Sequence, residues 1–253
     1  MPKVQNAIIL LAGTGSRLRP LTDNTHKALL PIQGKTILER QITQLTQCGI
    51  SKLHLVLGYR DQDICDFAAT NFSDLNIQFH HNEIYEKTNT GYSLYLVLKT
   101  MAESFLLLDG DVLLHDKLLE ALCIDTTDNL LLCETDPAKL DAEAVKVRLG
   151  DSGHIVEIGK PIALAKAHGE SIGVGLYQKD WAIALKSRLE SSLKDSSNWN
   201  WYYEDAMQEI LANEQAPSPL KIISTENYPW VEVDDFQDLE RAKKINWTPT
   251  HPL

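Results

Sequence analysis

Five apolar residues, Ala7-Ile8-Ile9-Leu10-Leu11, pass directly into Ala12-Gly13-Thr14-Gly15-Ser16-Arg17, and this junction leaves the chain few folds to choose from. A strand with no polar face must be covered on both sides, as in a parallel sheet flanked by helices. Gly13 and Gly15 then let the backbone turn successive N–H groups inward and approach an anion with no Cβ in the way. Arg17 and, further on, Lys27 add full charges to those dipoles. A loop of this kind is built to hold phosphates.

The spacing excludes the two commonest phosphate loops. A Walker loop requires Gly-x-x-x-x-Gly-Lys-Ser/Thr, and here the lysine lies far beyond the second glycine. A dinucleotide fingerprint requires a small third residue where this chain has Leu18, and Pro20 would interrupt the helix that must follow. The plainer alternative is a turn carrying surface cations.

The chain's 253 residues can bury a full core and suit one elaborated domain, or one domain with a small second lobe. Lys and Arg number 24 against 35 Asp and Glu, a net charge of −11 that argues against a nucleic-acid or anionic-membrane surface. Any anionic ligand therefore depends on local cations. The apolar run after Lys3 is too short for a signal peptide, and no later stretch is long enough to span a bilayer. Cys48, Cys65, Cys123 and Cys133 show no paired spacing and read as reduced residues of a cytoplasmic protein.

Periodicity predicts a helix from Ile37 to Thr46, ended by Cys48-Gly49, and a strand at Leu53–Leu57. Asp61 or Asp63 is expected to cap a helix through Ala68. A strand over Ile77–His80, a helix over Gly91–Met101 and a strand from Phe105 into Asp109-Gly110-Asp111 follow. This alternation gives a doubly wound α/β core whose ligands bind beyond the carboxyl ends of the strands, where the glycine loop and Asp111 both fall. Further strands are expected at 130–133, 144–149, 155–158, 172–177 and 230–233, with helices at 179–193, 203–212 and 236–245.

A carboxylate where a strand opens into a cleft, such as Asp109 or Asp111, can hold Mg²⁺, which takes one or two protein carboxylates and completes its shell with water and phosphate oxygens. Trp230-Val231-Glu232-Val233-Asp234-Asp235 alternates so that Glu232 and Asp234 share a face, while Asp235 is placed to cap the next helix. Asn89 and Ser93 sit at a helix start, where they either cap the helix or touch a ligand. Trp199-Asn200-Trp201-Tyr202-Tyr203-Glu204-Asp205 sets ring faces beside carboxylates, which suits a quaternary ammonium and equally suits an aromatic core patch.

Residues 13–27 resemble the signature G-x-G-x-R-L-x-P-L-T-x-x-x-P-K of the nucleotidyltransferases that join a nucleoside triphosphate to a phosphorylated sugar or small alcohol, with His26 in place of the proline. Thr88-Asn89-Thr90-Gly91-Tyr92-Ser93-Leu94-Tyr95-Leu96 resembles the bacterial CTP-dependent branch, whose members act on phosphocholine, inositol phosphate and aminoethylphosphonate. The resemblance implies a Rossmann-like, GT-A-like α/β fold with a mostly parallel mixed sheet in a single domain spanning 1–253. Residues 1–112 form its nucleotide half, and 113–253 its smaller acceptor-binding half. It also implies Mg²⁺ on Asp111 and Asp234, and nucleotide contacts from Leu11, Ala12, Gly13, Gly15, Ser16, Asn89, Ser93 and Asp109. Arg17 and Lys27 would act on the triphosphate and Lys160 on the acceptor phosphate, with Lys146, Trp201, Tyr202, Tyr203 and Glu204 around the acceptor. The implied reaction is CMP transfer from CTP to phosphocholine, giving CDP-choline and pyrophosphate. The alternatives are inositol 1-phosphate, 2-aminoethylphosphonate, a sugar 1-phosphate with another nucleotide, or a non-catalytic nucleotide-binding regulatory domain.

Overall fold

The structure, a computed structural model, describes residues 4–124, 126–213, 217–225 and 228–247. Strand β1 (Asn6–Leu11) leads through the glycine loop, with 3-10 turns at Ser16–Leu18 and Lys27–Leu29, to a small hairpin of β2 (Pro31–Ile32) and β3 (Lys35–Thr36). Helix α1 (Ile37–Gln47) begins where the Thr36 hydroxyl accepts from the Glu39 N–H. Strand β4 (Lys52–Leu57), helix α2 (Asp61–Asn71), strand β5 (Asn76–His81), helix α3 (Thr90–Leu98) and strand β6 (Phe105–Asp109) follow. The strands lie in the order β5, β4, β1, β6, all parallel.

Side chains alternate across this sheet as a period of two requires. Ala7, Ile9 and Leu11 of β1, with Leu106 and Leu108 of β6, join the core under α1 and α2. Ile8, Leu10, Phe105 and Leu107 join the opposite core. Asp109 continues the Phe105–Leu107 face, which fixes the side of the sheet on which its carboxyl emerges.

Beyond β6 come β7 (Val112–Leu114), α4 (Asp116–Leu122), β8 (Asn129–Glu134), β9 (Lys146–Leu149) and β10 (Ile155–Gly159). They are followed by β11 (Gly169–Tyr177), α5 (Lys179–Ser192), α6 (Tyr203–Leu211), β12 (Leu220–Ser224), β13 (Trp230–Glu232) and α7 (Phe236–Lys244). The C-terminal half of β11 runs antiparallel to β6, and its N-terminal end pairs with β9. Its other edge carries β8, to which β12 adds in parallel. Helices α3, α5 and α6 cover the Phe105 face. A third apolar cluster joins Leu18, Leu30 and Ile32 to Val231, Val233 and Leu239, tying the return of the glycine loop to the last helix.

The β2–β3 hairpin, β7, α4 and β12 carry too little periodicity to be read from the sequence; Val112-Leu113-Leu114 merely extends the apolar run before it. Helix α2 starts without a side-chain cap, and Asp61 and Asp63 instead occupy its first turn, where negative charge favours the helix dipole. Among the described residues no helix is long and apolar enough to cross a membrane. All four cysteines are unbridged.

Candidate active site

Gly110 lets β6 end hard against β1. Its N–H donates to the Leu10 carbonyl at 3.0 Å, and a Cβ there would lie 2.5 Å from that oxygen and 2.4 Å from Leu11 Cδ2. The chain can therefore turn at once into Asp111 and β7. Strand β13 pairs antiparallel with β7, and the Val233 N–H donates to the Asp111 carbonyl at 3.0 Å. Two carboxylates more than a hundred residues apart in sequence are thus brought side by side.

Lys27 lies between them, its Nζ 2.6 Å from Asp111 Oδ2 and 2.9 Å from Asp234 Oδ1, while Arg17 Nη2 reaches Asp234 Oδ2 at 2.5 Å. Burial alone would lower the Lys27 pKa, but Asp111 and Asp234 outweigh it and hold the ammonium above its ordinary range. The same balance, reversed in sign, keeps Asp234 below the ordinary carboxylate value. Glu232 opens onto the cavity beside them. Enclosure by the cavity wall, then the charges of Asp111 and Asp234, push its carboxyl up to about 8.

One carboxylate oxygen each from Asp111, Glu232 and Asp234 lies within 4.8 Å of the others, and Asp111 Oδ1 is buried without a hydrogen-bond partner. Hard oxygen donors and an unfilled buried acceptor fit a divalent cation such as Mg²⁺.

These residues line one cavity of about 970 Å³. Leu11, Ala12 and Gly13 form one edge beside Arg17 and Lys27, Asn89 and Ser93 the wall at the start of α3, and Lys160 and Tyr202 the far side. Asn82 donates to Thr88 Oγ1 at 2.9 Å and to Ser93 Oγ at 3.2 Å, fixing the α3 wall. Asn89 caps α3 through the Thr90 N–H. Lys160 Nζ is 3.4 Å from Tyr202 Oη and lies over the ring, 4.5 Å from its centroid. Among the described lining residues eleven carboxyl side chains face five lysines and arginines.

The nucleotidyl transferase family pattern matches residues 6–244, nearly the whole chain. The chain belongs to that family. Choline-phosphate cytidylyltransferase of Streptococcus pneumoniae is 38% identical over 105 residues, covering 42% of this chain and 44% of the relative. The bifunctional IPC transferase and DIPP synthase of Aquifex aeolicus is 30% identical over 241 residues, covering 95% of this chain and 51% of the relative. The chain thus spans about half the length of these curated relatives. The solved structure of CTP:phosphocholine cytidylyltransferase from Streptococcus pneumoniae superposes with a TM-score of 0.76 at 24% identity, covering 96% of this chain and 99% of that one; at this identity the likeness is one of fold.

In this nucleotidyl transferase His26 takes the place of the signature proline without disturbing Lys27. Its backbone is extended, φ −68° and ψ 142°, a conformation proline also adopts. Burial lowers the ring's pKa to about 4, so the neutral imidazole donates through Nε2 to the Leu11 carbonyl at 2.9 Å and accepts at Nδ1 from the Ala28 N–H at 3.1 Å.

Five of the sequence-designated residues lie off the cavity wall. Gly15 and Ser16 begin the 3-10 turn beneath it. Gly15 has φ +58° and packs against Lys27, where a Cβ would be 3.0 Å from the lysine's own. Lys146 lies off the cavity wall: Val147, next to it in β9, packs into the core under α3, α5 and α6, and Ala144 and Val145 line the cavity where the lysine does not. It is 1% exposed and caps the Ala142 and Ala144 carbonyls at 2.5 and 2.9 Å. Trp201 and Tyr203 likewise form no cage: Trp201 stacks under Arg188, and Tyr203 is buried in the core. Tyr202 alone of that run, with Glu204, reaches the cavity.

The sequence reading passed over two residues of the site. Glu232 shares the Asp234 face, a signal that alternation already carried. Glu134 accepts from the Thr135 and Asp136 N–H groups and from Trp230 Nε1 at 3.2 Å, which pins the strand that bears Glu232; a lone glutamate at a strand end carries no such signal.

Proposed function

We propose that this nucleotidyl transferase moves CMP from CTP to a small phosphorylated alcohol with a cationic head, the class to which phosphocholine belongs. The observation that carries the reading is the cluster of Asp111, Glu232, Asp234, Lys27 and Arg17, set between the Ala12-Gly13 edge and Lys160 of one cavity. CTP is the nucleotide in the names of the Streptococcus pneumoniae proteins, and the Thr88–Leu96 stretch favours the same branch. The cationic head is supported by the acid surplus of the cavity, which phosphates alone would worsen.

In this reading residues 1–112 hold CTP and residues 113–253 the acceptor. An acceptor phosphate oxygen attacks the α-phosphorus; the new P–O bond forms as the bond to the bridging oxygen breaks, and pyrophosphate leaves with that electron pair. A phosphate monoester with a second pKa of about 6 is already mostly dianionic at neutral pH, so no protein base is needed. The task left to the protein is to bring two polyanions together and to stabilise the developing charge. Lys27 and Arg17 move from the carboxylates to the triphosphate, and Lys160 holds the acceptor phosphate. A divalent ion held by Asp111 and Asp234, with Glu232 beside them, would neutralise phosphate charge in place of the lysine.

A pyrophosphate-release screen crossing the four ribonucleoside triphosphates with phosphocholine, O-phosphoethanolamine, 2-aminoethylphosphonate, inositol 1-phosphate and glucose 1-phosphate tests the reading. Turnover with CTP and a zwitterionic acceptor is expected. CTP binding in calorimetry without turnover of any acceptor would favour a regulatory nucleotide-binding domain instead.

A further inference from the structure

Helix α1 buries Ile37, Leu38, Gln41, Ile42 and Leu45 along one face. Helical spacing reserves the middle of that face for an apolar side chain, and this chain puts an amide there, 1% exposed, among the leucines and isoleucines of the core. The Gln41 Nε2 donates to the Asp109 carbonyl at 2.8 Å and to the Val112 carbonyl at 2.9 Å. Both partners are carbonyl oxygens, which can only accept, so the NH₂ group faces them and each of its hydrogens is used. The amide oxygen is buried and, among the described residues, has no hydrogen-bond partner. A buried polar atom left unmet destabilises the fold, and a hydrocarbon of the same length carries no such cost. Core packing alone does not call for Gln41.

Its two bonds span Gly110 and Asp111, the turn by which β6 passes into β7. Strand β7 is three residues long and pairs with β13, on which side the Asp111 carbonyl accepts from the Val233 N–H at 3.0 Å. Carbonyls alternate along a strand, so those of Val112 and Leu114 point the other way, toward α1. There Gln41 meets the first. Gln44, one turn further along the helix, donates to the second at 2.9 Å and to Asp116 Oδ1 at 3.3 Å. The two glutamines stand where another strand would. Of the two, Gln41 also reaches back across the turn to Asp109, and so fixes both ends of the segment that carries Asp111. Glu232 lies opposite Val112 in the β7–β13 register, so the same hold sets that carboxyl against Asp111.

We propose, resting on the transfer reaction above, that Gln41 is a positioning residue: by clamping the Asp109 and Val112 carbonyls it aims the Asp111 carboxylate at Asp234 and at a divalent ion held between them. The two carboxylates come from distant parts of the chain, and a displacement of about 1 Å at such a site costs about 100-fold in rate. A rigid brace at the turn is what that tolerance requires.

Two variants test it. Gln41→Met keeps the length and volume of the side chain and removes both donors, and Gln44→Met does the same one turn away. Mn²⁺ binding to nucleotide-free protein, followed by the electron paramagnetic resonance signal of the free ion, is expected to weaken about 10- to 100-fold in Gln41→Met and to stay within about twofold of wild type in Gln44→Met. With CTP, saturating Mg²⁺ and an acceptor that the wild type turns over, kcat should fall by a similar factor in Gln41→Met, while KM for the acceptor moves by less than about threefold. Both variants should melt cooperatively. If Gln41→Met does not, Gln41→Asn, whose amide falls one methylene short of the carbonyls, replaces it with the same expectation. Equal effects of the two glutamine variants on Mn²⁺ binding and kcat, or wild-type metal affinity in Gln41→Met, overturn the positioning role while leaving cytidylyl transfer standing. Turnover of no acceptor by the wild type overturns the transfer reading instead, and a loss of Mn²⁺ affinity confined to Gln41→Met would still support the hold on Asp111.

Discussion

Replacing Lys27 by methionine removes the cation that touches both Asp111 and Asp234 and keeps most of its apolar stem. The lysine side chain is 11% exposed, and its partners 21% and 24%. Stranding one partner of a fully buried ion pair costs about 3–5 kcal/mol, and the residual solvent at these carboxylates brings the expected loss to about 2–3 kcal/mol. For a domain of this length 1 kcal/mol corresponds to about 2–4 °C, so melting should fall by about 4–12 °C at pH 7.5 in chelator.

The sign of the pH dependence follows from Asp234. Its pKa is depressed in the folded wild type, so the pair's stabilisation is present above the unfolded value of about 3.9 and lost as pH falls through the lower folded one. Without Lys27 the three neighbouring carboxyls repel, their folded values rise, and the variant's deficit should be largest near pH 8 and narrow toward pH 5. Divalent ion at about a hundredfold above its dissociation constant contributes about 2.7 kcal/mol, enough to restore most of the loss. The wild type should gain less, since its lysine already occupies the site. Melting followed by scanning fluorimetry at three pH values, with and without Mg²⁺ or Mn²⁺, reads all of this. Equal melting of the two proteins, or a deficit independent of both pH and metal, would refute the placement of Lys27 as the resident counter-ion.

Two other expectations follow from the same geometry. Asp111→Ala should lower kcat for pyrophosphate release by about 10³ while the protein still melts cooperatively, because charge stabilisation at the reacting phosphate is lost but no core contact is; wild-type turnover would remove Asp111 from the chemistry. Gly110→Ala should cost about 3 kcal/mol and about 100-fold in kcat, since its Cβ would meet the Leu10 carbonyl at 2.5 Å and must push Asp111 out of place. Unaltered melting in that variant would show that β6 and β1 do not meet as described.

The N-terminal half was legible because each of its signals is local. The apolar run of β1, the helical spacing of α1 and the glycine loop sit within forty residues of one another, and the structure places Arg17 and Lys27 where that order leads. The C-terminal half depends on contacts distant in sequence. Whether Lys146 faces the cavity is decided by the register of β9 against β10 and β11, and alternation alone leaves the choice of face open. Trp201 and Tyr203 have the composition of an ammonium cage, yet the packing of α6 on α3 and α5 turns them inward. Glu134 acts through Trp230, ninety-six residues away. The sequence does carry Glu232, which alternation sets on the Asp234 face, but only the fold brings that face to Asp111.

Among the described lining residues the cavity has eleven carboxyls against five lysines and arginines, an excess that opposes two polyanions unless they bring counter-charge with them. Like charges 4 Å apart repel by about 4 kcal/mol at the effective dielectric of a protein surface, so a bare triphosphate or bare phosphate entering this space is opposed wherever it faces a carboxylate. Lys27 and Arg17, already engaged with Asp111 and Asp234, gain little by leaving them unless another cation takes their place. On the proposed reaction, a divalent ion arriving with the triphosphate would supply that replacement and free both side chains for phosphate. On the same reaction, an acceptor with a cationic head would bring its own counter-charge and leave Lys160 for its phosphoryl group. On the proposed reaction, phosphates without such a counter-charge, inorganic phosphate and inositol phosphates among them, are therefore expected to be poorer ligands than those that carry one.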